Sequence, residues 1–236
     1  MALPFFYKED IDVRNTTVVL DEDTSKHIVQ VLRMHHGEQL QLTDGKGNLF
    51  TCEIKDDNRK KCIVTILTTH HSPLTTHVVS IAISLVKNNT RFEWFLEKAT
   101  EIGVTEIIPL LCERTEKTAF KLERLKSILV SAMLQSQQTW LPVLREPVKF
   151  NSLINQSTAQ QKFIAHCENE NDKQPLTSKL INQLTGKLIL IGPEGDFTSN
   201  EIMQALQQDF IPVSLGNTRL RTETAGMVAA TLLCNY

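Results

Sequence analysis

"LILIGPEGDFTSNEI", residues 188–202, reads as the end of a strand, a glycine loop and the start of a helix in one run. The apolar stretch "KLILIG" (187–192) stops at a glycine, and Thr198 with Glu201 has the spacing of a helix capping box. Loops of this outline often hold nucleotide phosphates, which need converging backbone N–H groups and a Lys or Arg at the helix N-terminus. Glu194 and Asp196 carry the wrong charge for such a ligand. Taken alone, Gly192 and Gly195 read most simply as a tight turn that uses glycine's backbone freedom.

The same alternation extends outward on both sides. Upstream lie "VVSIAISLV" (78–86), the helical run "RFEWFLEKATEI" (91–102), "TEIIPLL" (105–111), a helix over 121–136 and "KFIAHC" (162–167). Downstream follow a helix over 199–209, "IPVSL" (211–215) and a helix over 223–234. Buried strand-like runs separated by helical ones predict an α/β fold with a parallel sheet. Helix 91–102 places Phe92, Phe95, Leu96, Ala99 and Ile102 on one face, with Thr90 and Glu93 as a capping box and Gly103 as its stop. Those aromatics read as core. After the last strand comes a second glycine loop, "LGNTRLRTETAG" (215–226), with two arginines, Thr222 as a helix cap and Glu223 in the dipole-favoured first turn. Ligands of open α/β sheets bind outside the carboxyl ends of strands, where both loops are expected.

Residues 1–72 have a different character. "TTVVL" (16–20), "EQLQL" (38–42), "NLFTCEI" (48–54) and "KCIVTIL" (61–67) alternate as short strands, and Asp44-Gly45 marks a turn. They predict a small antiparallel β domain, interrupted by a helix in which Ile28, Val29 and Leu32 form an apolar stripe. "THHSPLTTH" (69–77) is the linker, leaving 73–236 as the α/β domain. With 41 % hydrophobic and 22 % charged residues in 236, the chain is neither disordered nor membrane-embedded, and "MALPFFYKED" lacks a secretory signal, so a soluble cytoplasmic protein is expected. The five scattered cysteines form no C-x-x-C pair and read as buried free thiols. The histidine doublets 35–36 and 70–71 lack the spacing of a zinc motif, so no metal is expected. A net charge of −2 means that any nucleic-acid site must be a local patch.

"HIVQVLRM" (27–34), "EWFLEKATEIGVTEIIPLLCERT" (93–115) and the two glycine loops resemble the bacterial 16S ribosomal RNA uridine-N3 methyltransferases of the SPOUT superfamily, whose loops read GPEGG and LG-x-R-x-LRTETA. The resemblance covers essentially the whole chain. It implies a PUA-like β-barrel over 1–72 and an α/β domain over 73–236 with a deep trefoil knot, paired in a homodimer. It also implies 16S rRNA, in the small ribosomal subunit or its precursor, as the partner, and S-adenosylmethionine as the cofactor. That cofactor has no phosphate and carries a sulfonium cation, which suits a loop of amides and carbonyls with acidic neighbours.

By the same resemblance, Ile191, Gly192, Glu194 and Gly195 from the first loop and Leu215, Gly216, Leu220 and Arg221 from the second are carried over as cofactor-binding. Methylating the imide nitrogen of uracil calls for a donor at a ring carbonyl and an acceptor for the proton. Arg221 and Glu223 take those catalytic roles, with a salt bridge between the two as the alternative reading. Arg33, Lys87, Lys98 and Arg114 lie on matching segments as RNA-binding candidates, or as solvated surface charges. The chain departs from the family pattern at Pro4, at Asp196 in place of a glycine, and at Thr218 with Arg219. It also departs at Leu134–Pro142, where EQSGR-x-R-x-P loses its glutamate and two arginines. Two other readings stay open: a different RNA target within the same fold, such as a ribose 2′-hydroxyl or another base, and a non-catalytic rRNA-binding assembly factor, which the missing arginines and the negative net charge favour. The intact LRTETA stretch favours catalysis.

Overall fold

The structure, a computed structural model, describes residues 3–12, 14–73, 78–168, 173–181 and 186–235. The chain divides into two compact units, Met1–Leu74 joined by Met133–Leu141, and Thr75–Ala132 joined by Pro142–Tyr236. The sequence reading assigned all of 133–141 to the second part. No described helix is long and apolar enough to cross a membrane.

In the first unit, β1 (Phe5–Tyr7), β2 (Thr17–Val19), α1 (Glu22–Lys26), β3 (Gln39–Thr43), β4 (Asn48–Asp56) and β5 (Ile63–His71) follow in order. The strands form one sheet ordered β1-β3-β4-β5-β2, antiparallel except where β1 lies parallel to β3. The period-two pattern decides the inner face: Phe50, Cys52 and Ile54 of β4 are fully buried beside Leu40, Leu42 and Val64. The three-residue β1 is too short to show an alternation, so the sequence does not announce it. β5 runs through His71 and takes the first residues of the expected linker, whose residues 74–77 lie outside the described ones.

The expected Asp44-Gly45 turn is built around a buried carboxylate. Asp44 accepts hydrogen bonds from the backbone N–H of Lys46 and Asn48 and from the Asn48 side chain. Gly45 and Gly47 have φ of 71° and 89°, where a side chain is strained. Trp140 closes on this turn. Its indole Nε1 donates to the Ser72 carbonyl at 3.0 Å, and a Cβ on Gly47 would sit 2.5 Å from its ring. The segment that departs from the family pattern thus packs an aromatic where the pattern has an arginine.

The expected stripe Ile28, Val29, Leu32 is broken. After α1 the chain makes a π-helical turn, His27–Val31, in which the Leu32 N–H donates to the His27 carbonyl. The wider turn rotates Leu32 outward to 43 % exposure while Ile28 stays fully buried, and Arg33 follows with φ 54°. Burial pushes the Cys52 thiol up to about 12 and the Cys62 thiol to about 11, so both stay protonated. Cys112 is also buried, whereas Cys167 is exposed, against the expectation that all the thiols are buried.

In the second unit, β6 (Val78–Ser84), α2 (Asn89–Ile102), β7 (Glu106–Leu111), α3 (Leu122–Gln135, whose residues from Met133 on belong to the first unit), β8 (Val143–Leu144), β9 (Val148–Lys149) and α4 (Phe150–Gln156) come first. Then follow β10 (Gln161–Ala165), β11 (Gln174–Pro175), α5 (Leu176–Lys179), β12 (Gly186–Ile191), α6 (Ser199–Gln207), β13 (Ile211–Ser214) and α7 (Thr222–Asn235). The sheet is parallel throughout, ordered β11-β13-β10-β12-β6-β7-β8, with β9 beside β7. β6 and β12 sit near its middle and are buried along nearly their whole length, which is why they read as unbroken apolar runs.

Two helix caps differ from the expected ones. Asn88, not Thr90, caps α2 by accepting from the Thr90 N–H at 2.9 Å, and Glu93 instead holds Arg124 through two bonds of 2.6 and 2.8 Å. Thr222 is the first residue of α7, and its hydroxyl is spent elsewhere. The α6 capping box of Thr198 and Glu201 is present as expected, and Gly103 ends α2 with φ 99°.

α7 packs closely on α2 because residue 226 has no side chain. A Cβ on Gly226 would lie 2.7 Å from the Phe95 ring and 2.8 Å from Ile83. Glycine to alanine in a helix interior ordinarily gains about 1 kcal/mol, but overpacking a filled core costs about 1–3 kcal/mol. Gly226→Ala is therefore expected to lower the urea midpoint, by the equivalent of about 1 kcal/mol. A raised midpoint would contradict this packing.

Candidate active site

The parallel register places the carboxyl ends of β10, β12 and β13 on one edge of the sheet, and a cleft of about 1030 Å³ opens there. From the first loop, Ile191, Gly192, Pro193, Glu194 and Asp196 line it. From the second, Leu215, Gly216, Leu220 and Arg221 do. The two loops are tied together by the Thr222 hydroxyl, which donates to the Gly192 carbonyl at 3.0 Å in a buried position. A Cβ on Gly192 would fall 3.1 Å from the Phe197 ring, so a side chain there would need Phe197 to give way by a few tenths of an ångström, and Gly216 has φ 145°.

The carboxylates of the first loop are occupied by backbone. Glu194 accepts from the Lys87 N–H at 3.0 Å, three residues beyond β6. Asp196 accepts from the Cys167 N–H at 2.7 Å, beyond β10, and from the Phe197 N–H at 2.8 Å. Asp196 also stands at φ 65°, a left-handed conformation that accounts for the glycine in the family pattern. Burial and Asp196 both raise the Cys167 thiol, so it is no thiolate nucleophile. Burial and the nearby Lys173 lower His166, which keeps that cleft residue neutral at physiological pH.

Three arginines line the cleft, Arg91 from α2 and Arg219 and Arg221 from the second loop. Arg221, at the foot of α7, is exposed and makes no ion pair with a described residue. Arg91, in the first turn of α2, lies 3.6 Å from the carboxylate of Glu223. Glu223 itself is buried and is not on the cleft wall. The expected ion-pair alternative between Arg221 and Glu223 is thus replaced by one with Arg91, and the role of Glu223 as an open proton acceptor loses its geometric basis.

Gly195 is likewise off the wall. A Cβ there would meet Arg114 at an ordinary 3.4 Å, and its carbonyl accepts from the Arg114 guanidinium at 2.7 Å. Arg114 also reaches the Phe197 carbonyl, so it braces the loop from behind. Lys87 is paired with Glu116 at 2.8 Å, and Lys98 with Glu97 and Glu101. Arg33 is exposed in the first unit. Among the cleft residues that sequence reasoning passed over is Arg91. Its signal was a cation in a helix's first turn, where the macrodipole disfavours one. Among the described residues no cluster of His, Cys, Asp or Glu could hold a metal ion.

Residues 72–234 match the RNA methyltransferase domain family, and residues 20–67 match the RNA methyltransferase PUA domain. A ribosomal RNA small subunit methyltransferase E of Synechocystis sp. is 32 % identical over 220 residues, covering 90 % of this chain and 71 % of that relative. A probable rRNA-methyltransferase of Porphyromonas gingivalis superposes with a TM-score of 0.89 at 39 % identity, covering 98 % of each chain. A ribosomal RNA small subunit methyltransferase E from Neisseria gonorrhoeae, bound to S-adenosyl methionine, superposes at 0.85 with 27 % identity, covering 97 % of this chain and 95 % of that one. The fold and cleft are those of an RNA methyltransferase, and the chain belongs to the ribosomal RNA small subunit methyltransferase E family.

The geometry of Asp196 orders two variants. Asp196→Gly removes the carboxylate but adopts φ 65° freely, while Asp196→Ala loses the same bonds and keeps the strain, about 1–2 kcal/mol. Thermal melting should rank the alanine variant below the glycine variant, and equal midpoints would remove the strain argument.

Proposed function

We propose that the protein methylates N3 of a uridine in 16S rRNA, within the small ribosomal subunit or its precursor, acting in the cytoplasm as a homodimer whose α/β domain is knotted as a deep trefoil. Family membership makes the chain an S-adenosylmethionine-dependent rRNA methyltransferase. The observation that carries the finer reading is the convergence of both glycine loops and Arg221 on one cleft at the carboxyl ends of β12 and β13. Its volume, about 1030 Å³, is ample for a cofactor of drug size. Gly216 leaves open space for the close approach of a ligand. The boundary between an RNA-binding part and a catalytic part near residue 72 belongs to the same proposal.

Gly192 and Gly216, with their neighbours Ile191, Leu215 and Leu220, would hold the adenosine part through backbone amides and carbonyls. When bound, the cofactor supplies an electrophilic methyl group on sulfur. Arg221 donates to a uracil carbonyl and favours the deprotonated imide. Glu194, anchored on the Lys87 N–H, holds the loop against the end of β6. Arg33 contacts RNA phosphates from the first unit, and the paired Lys87 and Lys98 contribute less than free lysines would.

Calorimetry should show S-adenosylmethionine binding that is unaffected by EDTA. Digestion and mass spectrometry of small-subunit RNA, from a strain lacking the gene and after treatment with the protein, should place one methyl group on N3 of a uridine. A methyl on ribose would overturn the N3 assignment. Arg221→Lys keeps the charge but not the planar donor pair, so its single-turnover rate should fall roughly 10²–10³-fold with cofactor affinity little changed. An unchanged rate in a folded variant removes Arg221 from the mechanism. Sedimentation at micromolar concentration should give twice the chain mass, and a fully active monomer would refute the dimer.

A further inference from the structure

We propose that Arg91 is a second catalytic arginine, stabilising negative charge on one carbonyl oxygen of the target uracil while Arg221 serves the other, and that Glu223 is the positioning residue that holds it there. The inference rests on the reading of the reaction as N3 methylation.

Three features of Arg91 set it apart from a surface charge. It lines the cleft from α2, whereas Arg219 and Arg221 line it from the second loop, and its side chain is 40 % exposed. It sits in the first turn of a helix with no acidic residue in that turn, so its own helix repels it. The compensating carboxylate comes from another helix: Glu223, its side chain only 10 % exposed, stands 3.6 Å from Arg91 Nε. The guanidinium donates no hydrogen bond to a described residue, so its N–H groups remain available to a ligand.

The placement is enforced by the core. Gly226 lies one turn beyond Glu223 and is closed on Phe95, which lies one turn beyond Arg91. The same close approach that excludes a Cβ at 226 therefore sets the distance between carboxylate and guanidinium. Glu223 gains from the α7 N-terminal dipole and supplies to Arg91 the charge that its own helix denies.

The chemistry calls for two donors. The N3–H of uracil is flanked by two carbonyls, and its loss spreads negative charge over both oxygens. In the step, the N3 proton passes to water and the nitrogen's electron pair forms the new N–CH₃ bond. The C–S bond breaks with its electrons kept by sulfur, and the sulfonium becomes a neutral thioether. One preorganised arginine stabilises charge on one oxygen; Arg91 and Arg221 together match the pair.

The test compares wild type, Arg91→Lys and Glu223→Gln on small-subunit particles assembled from RNA transcribed with uridine or with 5-fluorouridine, whose fluorine acidifies N3–H. Thermal melting first establishes that each variant is folded. Arg91→Lys should slow single-turnover methylation of uridine roughly 10²–10³-fold, and 5-fluorouridine should recover most of that loss. Its rate should also need a higher pH than wild type. Glu223→Gln should show a smaller loss with the same recovery, and calorimetry should find S-adenosylhomocysteine affinity unchanged in both. Equal slowing with both nucleotides would overturn the proposal in favour of a structural role. Weakened S-adenosylhomocysteine binding beside unchanged 5′-methylthioadenosine binding would assign Arg91 to the amino-acid tail. A raised KM for RNA alone would assign it to a phosphate. A wild-type product that is not N3-methyluridine would sink the underlying reading itself; an N3 product with an undiminished Arg91→Lys rate sinks only this proposal.

Discussion

The hydroxyl of Thr222 donates to the carbonyl of Gly192, buried and across thirty positions of sequence, and the site is organised around that bond. The carbonyl ends a central strand and the hydroxyl begins the last helix. A carbonyl stripped of water and left without a donor costs about 1–3 kcal/mol, so the bond pins the start of α7 to the end of β12. Everything that lines the cleft from the second loop is positioned by that junction, because Leu215 to Arg221 span the distance between β13 and the pinned helix.

The acidic residues of the first loop answer to the same need. Glu194 and Asp196 satisfy backbone N–H groups at the ends of neighbouring strands, at Lys87 and Cys167, and Glu201 does so for Glu113 at 2.8 Å. Three segments just beyond strand ends are thereby stitched to the loop and to the helix that follows it by charge-assisted bonds, which are shorter and stronger than neutral ones. Arg114 completes the brace from behind through the Gly195 and Phe197 carbonyls. An acidic glycine loop is thus first a joint between strands, and the backbone it holds in place is what the cleft offers to a ligand.

Charge in the cleft is arranged by helices rather than by loops alone. Arg221 stands at the foot of α7 without an ion-pair partner among the described residues, while Arg91 depends on a carboxylate from a helix that begins more than a hundred residues later. The missing side chain at Gly226 lets those helices approach, so the core packing of Phe95 and the electrostatics of the cleft share one cause.

Local pattern alone determined much of this protein. The apolar runs of β6 and β12, the alternation of β4, the Thr198–Glu201 box and the Gly103 stop were legible because each depends on residues within a few positions of one another. Both glycine loops were legible as strand-to-helix turns for the same reason. Tertiary structure decided the rest. The cap of α2 passed to Asn88 because Glu93 is drawn to Arg124, a partner on a distant helix. A π turn carried Leu32 to the surface, and Trp140 joined the first unit by closing on Gly47. Gly195 turned its back to the cleft, and Glu223 found Arg91 instead of Arg221. Each of these turns on which long side chain reaches which distant group, and a sequence records spacing along the chain but not the approach of two helices through a glycine.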